Sequence, residues 1–168
     1  LGENILKYYD TPGIVHIDLM KDVQKTYKLE SYKLDNVAGS FIKGEIESIK
    51  KVKKNKYELY CKKITDLRKD DYIHLELHES YVSEDIGEKF PIYKLDLEKN
   101  IITLKTDLDL VEECDFERGK VFWSQAKDDV PPKMIFKMQT MGPKERCIVA
   151  KYCLKDCRLC NLLITKLD

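Results

Sequence analysis

At 168 residues with 43% hydrophobic side chains, the chain suffices for one ordinary domain or two small ones and is too apolar to be disordered throughout. Its 30 basic side chains balance its 30 acidic ones, so no overall field draws it to nucleic acid, and any such binding must come from a local patch. No apolar run approaches the ~18–20 residues that span a bilayer, so no membrane partner is expected.

The opening LGENILKYYDTPG has neither the basic region nor the apolar stretch of a signal peptide. It also lacks an initiator Met, so a piece of a longer chain is expected. GIVHIDLM (Gly13–Met20) follows a Pro-Gly turn and reads as a buried strand, being short, apolar and β-rich. Leu19, Val23 and Tyr27, spaced by four, mark one face of a helix. A second helix spans SYKLDNVAGSFI, with Leu34, Val37, Ala38 and Phe41 on one side, Ser31 and Asp35 flanking its start, and Ser31 as the expected N-cap.

At Lys43-Gly44 the texture changes to short strands and turns, and it stays so to about Trp123. GEIESIKKVKKNKYELYCKKI reads as a hairpin turning near Lys54-Asn55. In DLRKDDYIHLELHES the residues Ile73, Leu75 and Leu77 face one way and His74, Glu76 and His78 the other; Leu67-x-x-x-Asp71-Tyr72-Ile73 is a polar turn leading into that strand. FPIYKLDLEKNIITLK is another hairpin, turning at Glu98-Lys99-Asn100. Strands at this spacing predict a small antiparallel barrel or sandwich. Helical pattern returns in DDVPPKMIFKMQ, with Pro131 and Pro132 in the first turn and Asp128 or Asp129 near the cap. A last helix runs from Lys144 to about Leu167.

Six cysteines raise the question of disulfides. Four of them (Cys147, Cys153, Cys157, Cys160) crowd into the last helix and no signal peptide precedes them, so free thiols in a reducing compartment are expected. With Tyr152 at zero and 100° per residue, Val149, Cys153, Cys157, Cys160, Leu163, Ile164 and Leu167 fall between about 20° and 140°. Lys151, Lys155, Arg158, Asn161 and Thr165 fall on the opposite, polar side. Asp156 lies at about 40°, inside the apolar arc. An ionised carboxylate there is costly unless paired or metal-bound, which leaves a buried salt bridge, a helix cap or a metal ligand.

Cys153, Cys157 and Cys160 share that face, yet a straight helix holds them too far apart for one zinc tetrahedron, and packing as small hydrophobes is the favoured reading. His74-Leu-Glu76-Leu-His78 could hold a metal on a strand face, although a solvated face is the commoner meaning. The run Lys50–Lys56 could touch a phosphate backbone or could guard a strand edge.

Two stretches carry a resemblance. VHIDLMKDVQKTYKLESYKLDNVAGSFI, above all YKLESYKLDNVA (Tyr27–Ala38), resembles family B DNA polymerases of the delta-like branch, between their second and third exonuclease motifs. IVAKYCLKDCRLCNLL resembles the third motif, Tyr-x-x-x-Asp on a helix, at Tyr152 and Asp156. The spacer from Ala126 is similar to the polymerases of large nucleocytoplasmic DNA viruses. The likeness is close over Ile14–Ile42 and Ala126–Leu167 and loose between them.

This resemblance implies a fragment of a DNA-directed DNA polymerase acting in viral DNA replication. Its fold would be α/β, part of an RNase H-like exonuclease fold, interrupted by a small β-rich, barrel-like insertion. The expected division is 1–43 and 125–168 for the exonuclease domain and 44–124 for the insertion. The implied activity is two-metal 3′–5′ proofreading, with Asp156 binding one of two Mg2+ (or Mn2+) ions and Tyr152 orienting the attacking water. The implied partners are DNA at the primer 3′ end, the remainder of the polymerase and a processivity factor, at an intracellular site of viral replication. The Asp-x-Glu and Asn-x-x-x-(Phe/Tyr)-Asp motifs and the polymerase palm motifs do not occur where they belong. Asp96-Leu-Glu98 and Asp115-Phe-Glu117 copy the first by letters only, and Asp18 takes no catalytic role. The chain alone is therefore expected to be inactive. The competing expectation is a non-catalytic β-barrel module that docks a protein or nucleic acid.

Overall fold

The computed structural model describes residues 10–80, 82–127 and 130–167. They divide after Tyr32 into two compact units. In the first, the turn at Pro12-Gly13 is present, closed by the Ile14 amide donating to the Thr11 carbonyl at 3.1 Å. The expected strand that follows it is not. Residues 14–18 pair with no strand among the described residues, and Ile14, Val15 and Ile17 are 64, 84 and 73% exposed. β-propensity cannot make a strand without a partner for its backbone groups. Helix α1 (Leu19–Thr26) begins where Asp18 accepts from the amides of Met20 and Lys21 at 3.1 and 3.3 Å. Asp18 is thus a helix cap. Val23 is buried, as its spacing predicts.

The second unit opens with α2 (Leu34–Phe41), which buries Val37 and Ala38. Its cap position is Lys33, which makes no side-chain cap bond; Ser31 sits two residues too early for the role assigned to it. The acid in the first turn, Asp35, is used instead, accepting from the Lys127 amide at 2.5 Å and the Lys89 ammonium at 2.8 Å.

Seven strands follow: β1 (Lys43–Lys53), β2 (Lys56–Cys61), β3 (Tyr72–Glu79), β4 (Val82–Asp85), β5 (Phe90–Asp96), β6 (Ile101–Lys105) and β7 (Lys120–Ala126). All pairings are antiparallel. The order β3-β5-β6-β2-β1-β7 returns to β3, because β3 pairs with β7 over seven rungs from Tyr72–Ala126 to His78–Lys120. Six strands therefore form a closed ring, and β4 extends β3 beside it. The expected barrel is what these segments build, and both expected hairpin turns lie where the sequence places them.

Alternation fixes which residues fill the ring. Ile73, Leu75 and Leu77 point inward and meet Leu59, Ile92, Ile102, Leu104, Val121 and Trp123 in a core where none is more than 1% exposed. Trp123 lies across its rung partner Gly44 so closely that a Cβ there would stand 2.6 Å from the indole Nε1. The change of texture at Gly44 thus has a packing cause. A short helix, α3 (Leu110–Glu113), is capped by Asp109, which also pairs with Lys51 at 2.5 Å.

Two helices finish the unit: α4 (Pro132–Gln139), with Pro131 at its cap position, and α5 (Pro143–Leu167). Asp128 and Asp129, expected near the α4 cap, lie outside the described residues. On α5 the buried residues are Val149, Leu159 and Leu163, with Tyr152 and Asp156 half-buried between them. Cys153 and Cys157 are exposed and Ile164 is 48% exposed, which corrects the assignment of the cysteine side to the core.

The reason for this rotation is on the other flank. Arg158 and Lys155, read as solvated, reach the loop before β3: Arg158 pairs with Asp71 at 3.1 Å and donates to the Asp66 carbonyl, and Lys155 donates to the Asp70 carbonyl at 2.7 Å. Lys166 pairs with Asp66 at 3.0 Å. Asp71 is 4% exposed and also accepts from the Arg68 amide at 2.9 Å. All six cysteines are free thiols.

Arg158→Met should destabilise the unit by about 3–5 kcal/mol in chemical denaturation, because it strands the Asp71 carboxylate without its cation. Gly44→Ala should cost about 1–3 kcal/mol, since the buried indole has no room to move; an unchanged denaturation midpoint would contradict the packing described.

Candidate functional site

Tyr152 and Asp156 stand one turn apart on the inner face of α5, both half-buried. Between them and the ring comes Lys127, the residue after β7. Its ammonium lies 3.0 Å from Asp156 Oδ2 and 5.0 Å from the centre of the Tyr152 ring. Its backbone is pinned on both sides: the amide donates to Asp35, and the carbonyl accepts from Lys89 at 3.1 Å. α2, the loop before β5 and α5 thus converge on one lysine at the end of one strand.

Burial opposes the charge on Lys127, but Tyr152 and Asp156 outweigh it and hold the ammonium well above the ordinary lysine value. At neutral pH the site is a fixed cation against a carboxylate and a phenol ring. The side chains of Lys127 and Asp156 are 23 and 26% exposed, so the pair faces a shallow cleft that Tyr72, Gln125 and Ala126 also line. The two residues expected to act together are brought together. Lys127, Lys89 and Asp35 were missed as partners; the one signal in the sequence was the place of Asp35 near the start of a helix, where an acid is favoured.

The chemistry open to the site follows from its donors. Asp156 is a hard oxygen donor of the kind magnesium or manganese takes. Among the described residues no three His, Cys, Asp or Glu side chains gather closely enough to hold a metal by themselves. Asp156 alone could supply a single ligand, and an ion there would have to displace the Lys127 ammonium or share the carboxylate with it.

The second candidate face is more crowded than a solvated strand. Glu76 accepts from the Ser124 hydroxyl at 2.7 Å and contacts His78 Nε2 at 2.9 Å, and the His78 ring lies 4.8 Å from that of Phe122. Burial pushes the Glu76 carboxyl up, but His78 and Ser124 prevail and hold it below the ordinary value. His78 and Glu76 serve as packing and hydrogen-bonding groups outside the ring. The lysine run forms the tip of the β1–β2 hairpin.

No known protein-family profile matches the chain. The chain is similar along its whole length to DNA polymerases of large DNA viruses: 40% identical over 168 residues to that of Pyramimonas orientalis virus, and 30% identical over 209 residues to that of Acanthamoeba polyphaga mimivirus. The DNA polymerase of Phaeocystis pouchetii virus is 33% identical over 169 residues, covering 99% of the chain. The chain spans 12–16% of the length of these relatives. The strand-rich part thus has a counterpart in them, beyond the two stretches in which the resemblance is closest. No helix among the described residues is long and apolar enough to cross a membrane.

The lowered value of Glu76 links stability to pH with a definite sign. Between its native value and the ordinary 4.5, the unfolded chain binds more protons, so stability falls as pH drops through that window and is fully present above it. Glu76→Gln should lower the denaturation midpoint at neutral pH and flatten the loss below about pH 4.5, as read from midpoints across a pH series.

Proposed function

We propose that this chain, which matches a segment of the DNA polymerases of large DNA viruses along its whole length, is part of such a polymerase and contributes Asp156 and Tyr152 to a 3′–5′ proofreading exonuclease of the family B type. The observation that carries the reading is the convergence of Tyr152 and Asp156, in the spacing of the third exonuclease motif, on one point beside a cleft. α1, α2, α4 and α5 would belong to an RNase H-like domain, with 44–124 as an insertion. In support of the insertion, Lys43 and Ser124 are rung partners, so the chain enters and leaves the ring side by side.

In this proposal Asp156 holds one divalent ion, magnesium or manganese, together with carboxylates from the rest of the polymerase. Such ions, when bound, supply a hydroxide and stabilise the leaving oxygen of an in-line phosphodiester cleavage. The residues here prepare for that. Lys127 holds the Asp156 carboxylate in place at the edge of the cleft, where it would be one of the groups that hold the ion. Tyr152, one turn away and also against Lys127, would turn its hydroxyl to a water on the same phosphate. The partners are the primer 3′ end, the remainder of the polymerase and a processivity factor, at an intracellular replication site.

The Lys127–Asp156 ion pair favours a second reading, in which Asp156 only docks α5 and the chain is a non-catalytic binding module. One experiment separates the two. In the complete polymerase, loss of a metal-orienting partner costs roughly 10–100-fold, so Asp156→Ala, which removes the ligand itself, should slow degradation of a labelled primer by more than about 100-fold. Nucleotide addition should be spared, and Tyr152→Phe should lose less. Full primer degradation by Asp156→Ala establishes the docking role and refutes the catalytic one.

A further inference from the structure

Lys53, Lys56 and Lys105 are rung partners in succession across β1, β2 and β6, Lys53 opposite Lys56 and Lys56 opposite Lys105. Like charges directly opposite one another destabilise a sheet, so a row of three calls for a reason. Protection of a strand edge is not that reason for Lys56 and Lys105, because β2 and β6 are each paired on both sides. Among the described residues none of the three is in an ion pair. The carboxylate two residues along the same face of β2, Glu58, instead accepts from the Tyr60 hydroxyl at 3.2 Å.

Beside the row, Tyr93 stands out from a bulge in the pairing of β5 with β6. Its ring has the Lys105 ammonium 3.6 Å and the Lys56 ammonium 5.9 Å from its centre, and the residue is 47% exposed. These charges, Lys105 foremost and Lys69 among the rest, hold the Tyr93 hydroxyl below the ordinary tyrosine value. The outer wall of the ring therefore carries a stripe of cations, in no ion pair among the described residues, stepping ~4.8 Å from strand to strand beside a partly exposed tyrosine ring. In a chain of zero net charge this is a local patch of one sign.

We propose that this stripe binds single-stranded DNA, with Lys53, Lys56 and Lys105 on successive phosphates and Tyr93 stacked on a base. The choice of DNA over other polyanions rests on the polymerase reading above; the site itself shares no residue with the Tyr152–Asp156 pair. Cations that track the backbone and an aromatic that takes a base are the two components of sequence-tolerant single-strand binding. The row also explains what the hairpin tip gains by repelling itself: an incoming phosphate relieves the repulsion.

The test is fluorescence anisotropy of a labelled oligothymidylate of roughly 12 nucleotides on the complete polymerase, in chelator, across a salt series. Chelator removes the ions on which Asp156 would act, so a failure here is distinct from a failure of the exonuclease assignment. The triple variant Lys53→Gln, Lys56→Gln, Lys105→Gln should reduce the slope of log affinity against log salt by about 2, at roughly 0.7 per phosphate lost. The triple Lys→Arg variant should keep the slope. Tyr93→Leu should weaken binding by roughly fivefold or more while Tyr93→Phe does not, because the ring and not the hydroxyl stacks. Lys62→Gln, whose lysine already pairs with Glu45 at 2.7 Å, should change neither quantity. Wild-type slope and affinity in the triple Gln variant would overturn the proposal, as would an equal loss on duplex of the same length.

Discussion

The ladder between β3 and β7 joins strands that lie more than forty residues apart in sequence and turns an open sheet into a ring. Seven rungs hold it, and each sets one residue against the interior and the next against the outside. Inward this puts Leu75 opposite Trp123 and Leu77 opposite Val121, and so completes the core. Outward it sets Glu76 within reach of Ser124 and leaves Lys127 projecting from the end of β7, where Asp35 and Lys89 seize its backbone. The cation that meets Tyr152 and Asp156 owes its position to that closure.

The strands were legible because each half-buried strand repeats with period two, and the turns because Asn55 and Asn100 stand where the chain must reverse. Asn100 takes a positive φ of 53°, as Asn tolerates. Helix α5 was legible in extent but not in rotation. A helical wheel ranks faces by polarity, and three cysteines weigh as apolar while an arginine weighs as exposed. Here the arginine is consumed by Asp71, a buried acid that a loop brings from more than eighty residues away, and Cys153 and Cys157 are left to solvent. GIVHIDLM failed for a related reason: its composition suits a strand, but a strand is a property of two segments. Within the candidate site, Tyr152 and Asp156 could be found because they lie on one helix at a fixed spacing. Lys127 could not, because nothing local marks it.

Charge in this molecule is balanced in total and sorted in place. The loop before β3 spends its acids on α5, with Asp66 and Asp71 taken by Lys166 and Arg158, and Asp35 is taken by Lys89. The far wall of the ring sets Lys56 and Lys105 around Tyr93, in no ion pair among the described residues. The same side-chain types therefore act as internal fasteners on one side and as an open positive surface on the other, a distinction that composition hides.

One rung has a mechanical meaning. Lys43 lies opposite Ser124, and the Gln125 amide donates to the Ile42 carbonyl at 2.8 Å just outside it. The two ends of the ring thus leave side by side from the same end of an antiparallel pair. Tension applied through the flanking chain would load these bonds one after another, peeling β1 from β7 as a zipper opens rather than shearing the whole ladder at once. Among the joints of the ring this is the one at which a pull from outside is felt first, and the ladder of β3 with β7 lies on its far side.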